Sequence, residues 1–189
     1  MRNTIVWLLF LGAFLCAVPR VASETPSPNA SQCCLETIAE IQKLADNPAV
    51  KTADLKAFVD AATEANGIVN ANLQGCIKNA ERMSWCNIYI TERLWQTFSE
   101  AERFGVFAHE AGHVAQLARG EKSDNSVERE CAADEFAIKL LYKSGRDPRA
   151  LIAGLKKSMH SYTFLLPANR SKYELRIKNA ERIISALQK

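Results

Sequence analysis

The sequence predicts an α+β domain that is mostly helical and contains a small antiparallel sheet. Helical spacing of apolar residues dominates both ends of the chain, whereas alternating, strand-like runs occur only between about residues 68 and 90. The strands are therefore grouped together rather than alternating with helices. Such segregation is typical of α+β folds and disfavours a parallel sheet, whose strands need crossover helices between them.

The composition indicates one globular domain. The chain has 189 residues, of which 48% are hydrophobic and 24% charged, and these fractions are ordinary for a folded domain. The formal net charge of +3 is too small to indicate binding to a nucleic acid. We therefore expect no nucleic-acid partner.

Residues 1–23 are predicted to be a secretory signal peptide. Arg2 precedes a short apolar run, and small residues lie just before the expected cleavage point after Ser23. The run is short for a membrane-spanning helix, so we expect export to a periplasm or the extracellular space, with no stable membrane span after cleavage. An uncleaved anchor is the alternative. The Pro- and Ser-rich segment 24–32 is predicted to be a flexible leader, and residues 33–189 to form the single domain.

The cysteine content is compatible with export. Five cysteines remain after cleavage, namely Cys33, Cys34, Cys76, Cys86 and Cys131. An oxidising compartment favours disulfides, but an odd number leaves at least one thiol unpaired or intermolecular. Adjacent cysteines rarely bond to each other, so we expect the first two to pair with the next two. Cys131 is then the free thiol.

The first half of the mature chain is predicted to contain two helices followed by strands. Apolar residues recur every three positions over residues 33–46, and Asn47-Pro48 ends that helix. A second helix is predicted from Thr52 to Ala65. Strands are predicted at Ile68-Val69 and Cys86–Ile90.

The second half is predicted to consist of four helices. Overlapping capping boxes at residues 97–100 and 99–102 indicate that the first begins near residue 99, and Arg119-Gly120 ends it. The other three are predicted at about residues 126–143, from Asp147-Pro148 onward, and at about residues 171–187.

The residues that could bind a metal or take part in catalysis are concentrated in the helix that ends at residue 119. It contains the sequence His-Glu-Ala-Gly-His at positions 109–113. Residues four apart lie on one helix face, so the imidazoles of His109 and His113 converge on one point, where a single zinc ion fits. In this arrangement Glu110 acts as the general base rather than as a ligand. Gly112 costs about 1 kcal/mol relative to Ala in a helix, so we expect another element to approach the metal face closely.

A catalytic zinc ion needs a third protein ligand. His160 is the remaining histidine, and the alternative is a carboxylate from the helix at about 126–143. Glu130 and Asp134 are four apart on that helix, so one could bind the metal while the other orients a histidine ligand. The residues alone leave this choice open.

Three segments together resemble a known family. His109–His113, Glu130–Asp134 and Asp147–Ile152 resemble the gluzincin metallopeptidases, in the branch of the CAAX-prenyl proteases and their HtpX-like bacterial envelope relatives. The resemblance implies a zincin-type metallopeptidase domain. It also implies that Glu130 is the third zinc ligand and that Asp134 accepts a hydrogen bond from His109.

The segment before the metal helix also resembles this family. Asn87, Ile88 and Tyr89 correspond to the family's edge strand, which lies over the metal helix. We therefore expect an extended substrate to pair with this strand. Trp85, Tyr89, Phe107 and residues of the loop 119–125 are expected to contact its side chains.

The resemblance is incomplete in the last helix. Family members usually have a His-Pro pair where this chain has Arg170-Ser171, although Leu175-Arg176-Ile177 fits the end of the motif. Which residue stabilises the oxyanion is therefore open. The candidates are Arg176, Arg170, Tyr173 and His160.

The expected function is that of an exported zinc endopeptidase of the gluzincin type. Its partners would be protein or peptide substrates, misfolded envelope proteins among them. The alternative is a secreted zinc-binding protein without protease activity, acting as a chaperone-like or inhibitory partner. The intact Glu110 argues against this alternative, because a structural metal site does not need that carboxylate.

Overall fold

The computed structural model describes residues 28–60, 71–79, 82–121, 126–162 and 167–189. The helices and strands in these ranges confirm the predicted α+β class. The helices are α1 (Pro28–Leu44), α2 (Pro48–Thr52), α3 (Glu92–Thr97), α4 (Glu100–Ala118), α5 (Val127–Lys143), α6 (Arg149–Tyr162) and α7 (Pro167–Leu187). The strands are β1 (Asp54–Asp60), β2 (Ala71–Asn79) and β3 (Arg82–Thr91).

The described sheet is mixed rather than antiparallel. Its order is β1-β3-β2, with β3 antiparallel to β2 and parallel to β1. The prediction of a purely antiparallel sheet is thus wrong, because β3 inserts between two strands that run in opposite directions. The prediction that Asn87, Ile88 and Tyr89 form an edge strand is also wrong. These residues lie on the central strand, whose backbone pairs with a neighbour on each side.

The strand β1 replaces half of the helix predicted from Thr52 to Ala65. Leu55, Ala57 and Val59 are buried, whereas Asp54 and Lys56, which alternate with them along the strand, are exposed. This alternation has the two-residue period of a strand with one buried face. Residues 61–65 of the predicted helix and the predicted strand at 68–69 lie outside the described residues.

The first helix begins earlier than predicted. Helix α1 starts at Pro28, within the segment 24–32 that was predicted to be a flexible leader. The break at Asn47-Pro48 is confirmed, and Asn47 caps the following short helix by accepting hydrogen bonds from the backbone of Ala49 and Val50.

Helix α4 positions the candidate site and forms much of the core. It packs against α1, α5 and α6 and against the sheet. Phe104 and Phe107 are among the largest fully buried side chains of the described part. The centroid of the Phe107 ring lies 6.4 Å from that of Trp95. The prediction that Phe107 contacts substrate is therefore wrong, because the ring is enclosed in the core.

The predicted ends of the helices near the site are confirmed. Ser99 and Glu102 form the capping box at the start of α4. The turns after α4 and α5 contain Gly120 and Gly145, with φ of 80° and 76°, a conformation that glycine adopts without steric cost. Ser126 caps α5 by accepting a hydrogen bond from the backbone of Arg129.

The cysteines differ from the predicted pairing. Cys33 and Cys34 are free thiols, so the prediction that they pair with Cys76 and Cys86 is wrong. Cys131 is free, as predicted. Cys86 is disulfide-bonded.

In the ranges that the structure describes, no helix has both the length and the apolar character needed to cross a bilayer.

Candidate metal centre

Two successive turns of α4 and the first turn of α5 bring three metal-binding side chains together. His109 Nε2 lies 3.1 Å from His113 Nε2. Glu130 reaches both imidazoles, with Oε2 at 3.4 Å from His109 Nε2 and Oε1 at 3.3 Å from His113 Nε2. Within the described ranges, this is the one group of His, Cys, Asp or Glu side chains that could hold a metal ion.

These distances fit a zinc ion. In a tetrahedral site with bonds of about 2.0–2.1 Å, neighbouring ligand atoms lie about 3.3 Å apart. The two Nε2 atoms are 3.1 Å apart, and Glu130 approaches them with one oxygen each, at 3.4 and 3.3 Å, so each of these separations is close to that value. The donor set of two imidazoles and one carboxylate is also one that catalytic zinc sites use. The packing of α5 against α4 thus brings Glu130, one of the two carboxylates considered for the third ligand, next to both imidazoles.

The carboxylate of Asp134 is hydrogen-bonded to Nδ1 of His109. Its Oδ1 lies 2.8 Å from His109 Nδ1, and the carboxylate is fully buried. Burial lowers the pKa of His109, but the hydrogen bond and the charge of Asp134 outweigh this and raise that pKa to about 9. Burial would also raise the pKa of Asp134, yet hydrogen bonds from Arg176 and His109 lower it. Asp134 is therefore held as an anion beside the imidazole.

Arg176 joins the two carboxylates of α5. Its Nε and one terminal nitrogen each lie 2.8 Å from an oxygen of Asp134, and the other terminal nitrogen lies 3.0 Å from Glu130 Oε2. Burial disfavours the charged guanidinium, but the two carboxylates raise the pKa of Arg176 further above its ordinary value. Arg176, a candidate for stabilising the oxyanion, is therefore already hydrogen-bonded to the carboxylates of Asp134 and Glu130.

The other candidates for the oxyanion role occupy different surroundings. Arg170 is exposed and its Nε lies 3.0 Å from Glu174 Oε1. Tyr173 is half-buried, with its ring centroid 5.4 Å from the guanidinium carbon of Arg176. The side chain of His160 lies outside the described part.

Glu110 is buried next to the two imidazoles. Its burial raises the pKa of the carboxyl, while the nearby charges of His109 and His113 act in the opposite direction. A carboxylate whose pKa is raised towards neutrality is a better proton acceptor in catalysis than one at its ordinary value.

Comparison with known families supports the same chemistry. Residues 35–120 match the model of peptidase family M48. The resemblance to a zinc metallopeptidase is confirmed. A match to a peptidase family implies substrates that are proteins or peptides. A search of curated proteins found no match.

The M48 match ends just after α4, so it includes His109, Glu110 and His113 but not α5 or α7. The positions of Glu130, Asp134 and Arg176 therefore rest on the structure and on the motif in the sequence. The helices α5 and α7, which complete the candidate site, lie outside the matched segment.

Sequence reasoning missed one partner of the metal-binding histidines. Gln116 Oε1 lies 2.7 Å from His113 Nδ1, and Gln116 is almost completely buried. Its amide also contacts Arg129. The sequence could have predicted this contact, because a polar residue three positions after His113 lies on nearly the same helix face.

Gly112 is needed for close packing of the two metal-binding helices, as predicted. A Cβ atom at this position would lie 3.0 Å from Ala133 Cα on α5. We expect Gly112→Ala to lower the free energy of unfolding by about 1–3 kcal/mol, because overpacking outweighs the better helix propensity of Ala. Urea unfolding checks this value.

Gly154→Ala is a matched control for that change. Gly154 is also a buried helical glycine, but its added Cβ would lie 3.7 Å from the ring of Phe98, an ordinary contact. This variant should be as stable as the parent or more stable by up to about 1 kcal/mol. Equal effects of the two substitutions would contradict the role assigned to Gly112.

Proposed function

We propose that this protein is a zinc-dependent endopeptidase of the gluzincin type. His109, His113 and Glu130 would bind one zinc ion, and Glu110 would be the general base. The observation that supports this most strongly is the convergence of the two imidazole Nε2 atoms, 3.1 Å apart, with the carboxylate of Glu130, whose two oxygens lie 3.3 and 3.4 Å from them. The M48 match over the helix with both histidines supports the same assignment.

The proposed mechanism assigns one proton transfer to Glu110. When bound, zinc supplies a Lewis acid that polarises a carbonyl group and lowers the pKa of water. Glu110 accepts a proton from the attacking water as the new C–O bond forms. It then delivers the proton to the amide nitrogen, so that the C–N bond breaks and a neutral amine leaves. Asp134 and Arg176 keep His109 and Glu130 oriented throughout.

The substrate path differs from the one that the sequence predicted. Because β3 is central, its backbone has no open side within the described sheet. Strand β2 is an outer strand of that sheet and packs against α4. We therefore propose that an extended peptide adds to the outer edge of β2, where main-chain hydrogen bonds would hold it beside the metal helix.

Export remains part of the proposal. The pattern of residues 1–23 is that of a signal peptide. The five cysteines that would remain after cleavage are compatible with an oxidising compartment. Both observations favour a periplasmic or secreted enzyme that acts on envelope or extracellular proteins.

Metal analysis combined with a protease assay tests the proposed function. The purified protein should contain about one zinc ion per chain and should cleave an unfolded substrate such as casein. A chelator should stop cleavage, and added zinc should restore it. Cleavage that persists without metal would contradict the proposal. Stoichiometric zinc without cleavage of casein or of unstructured peptides would favour the non-catalytic alternative.

A further inference from the structure

We propose that Gln116 is a positioning residue that orients His113 for metal binding, and that Arg129 sets the direction of the Gln116 amide. This inference rests on the proposed function, because it concerns the same metal site. It goes further by assigning a hydrogen-bond partner to Nδ1 of the second histidine.

The two ring nitrogens of His113 have different roles in a metal site. A neutral imidazole has one N–H and one lone pair, and a ligand must present the lone pair to the metal. His113 Nε2 faces His109 Nε2 and Glu130, so the proton has to be on Nδ1. That N–H needs an acceptor, and Gln116 Oε1 lies 2.7 Å away.

The direction of the Gln116 amide decides which nitrogen of His113 carries the proton. If the amide were reversed, its NH₂ group would donate to Nδ1 and the imidazole proton would move to Nε2. The lone pair would then point away from the metal position. A glutamine alone does not distinguish these arrangements, since one end accepts hydrogen bonds and the other donates them.

Arg129 distinguishes the two ends. Its Nε–H, which can only donate, lies 3.0 Å from Gln116 Oε1, and its backbone carbonyl, which can only accept, lies 2.8 Å from Gln116 Nε2. Reversal would bring the amide NH₂ group against the Nε–H group, and the amide oxygen against the carbonyl oxygen. Both contacts therefore require the arrangement in which Oε1 faces His113.

Burial makes this arrangement hard to replace. Gln116 is 1% exposed, so little space remains for water to substitute for its oxygen. His109 obtains the same support from the anion Asp134, whereas His113 obtains it from a neutral amide. The Nδ1 atoms of both histidines thus have a hydrogen-bond partner, and only one of the two partners, Asp134, is negatively charged.

The test compares zinc affinity in Gln116→Leu with that in Gln96→Leu. Gln96 is an exposed residue of α3 whose Nε2 donates to Glu92, so it makes a suitable control. Loss of an outer partner of a metal-binding histidine typically weakens metal binding by 10- to 100-fold. We expect a loss of about that size for Gln116→Leu, and a change below about twofold for Gln96→Leu, in competition with a chelator of known affinity.

Nitrogen-15 NMR of the histidine rings of the unmutated protein tests the arrangement directly. In the zinc-loaded protein, the Nδ1 proton of His113 should be visible, hydrogen-bonded and protected from exchange with water. A folded Gln116→Leu variant with unchanged affinity, or a His113 Nδ1 proton that exchanges as in a free imidazole, would overturn the proposal. The NMR result decides the matter if the variant does not fold.

Failure of this inference differs from failure of the proposed function. A protein that binds no zinc contradicts the proposed function. Zinc binding with parental affinity in a folded Gln116→Leu variant overturns this inference alone and leaves the proposed function intact.

Discussion

Glu110→Gln is expected to abolish peptide cleavage while the zinc ion stays bound. The amide has nearly the same shape as the carboxylate but cannot accept a proton from water. General-base catalysis of this kind typically contributes 10²- to 10⁴-fold to the rate, so we expect kcat to fall by about that factor. The metal content should not change, because Glu110 is not among the three side chains that converge. Casein cleavage and zinc analysis on the same preparation check both statements.

Glu128→Gln provides the matched control for this variant. Glu128 is an exposed carboxylate on α5, two residues from Glu130. Its neutralisation should leave cleavage within about twofold of the parent, because a single exposed charge contributes little to the energetics of the protein. A Glu110→Gln variant that keeps more than a small fraction of the parental rate would contradict the general-base role. Loss of zinc in that variant would instead indicate that Glu110 helps to bind the metal.

The parts of the site that depend on local spacing were predictable from the sequence. The i and i+4 positions of His109 and His113 on one helix follow from helix geometry, and the structure places both imidazoles at one point. The capping box at Ser99 was visible for the same reason, since it depends on residues three apart. The close packing at Gly112 was predictable because glycine has a lower helix propensity than alanine, and close approach of another helix is a reason for glycine at this position.

The parts that depend on distant pairing were not predictable in the same way. The run around Leu55, Val59 and Ala62 fits a helix face, but Leu55, Ala57 and Val59 also fit a strand face. Such short apolar runs are ambiguous from spacing alone. The choice is made by pairing with β3, where Leu55 lies opposite Cys86, and sequence periodicity does not contain this information.

The position of β3 in the sheet was mistaken for a related reason. Its alternation of Cys86, Ile88 and Ile90 describes one buried face, and this pattern is the same for an edge strand and a central strand. Arg176 illustrates the same limit in the site. It lies 42 residues from Asp134 along the chain, so only a family motif could place the two together.

Glu130→Ala is expected to remove zinc from the site. Loss of an outer partner alone typically weakens binding by 10- to 100-fold, so loss of a direct ligand should weaken it by more than about 100-fold. Cleavage of casein should disappear with the metal, whereas in Glu110→Gln the metal should remain. The two variants therefore separate binding of zinc from proton transfer. Zinc titration in competition with a chelator, together with the casein assay, measures both effects.

Glu128→Ala is the control that isolates the ligand role of Glu130. Both substitutions remove a carboxylate from the first turn of α5, so they change helix propensity and the favourable charge at the helix start in the same direction. Only Glu130 lies within reach of both imidazoles and of Arg176. Removing it leaves the buried guanidinium with Asp134 as its carboxylate partner, so urea unfolding of the metal-free variants should reveal any loss of fold. A folded Glu130→Ala variant with parental zinc affinity would show that the third ligand comes from another residue.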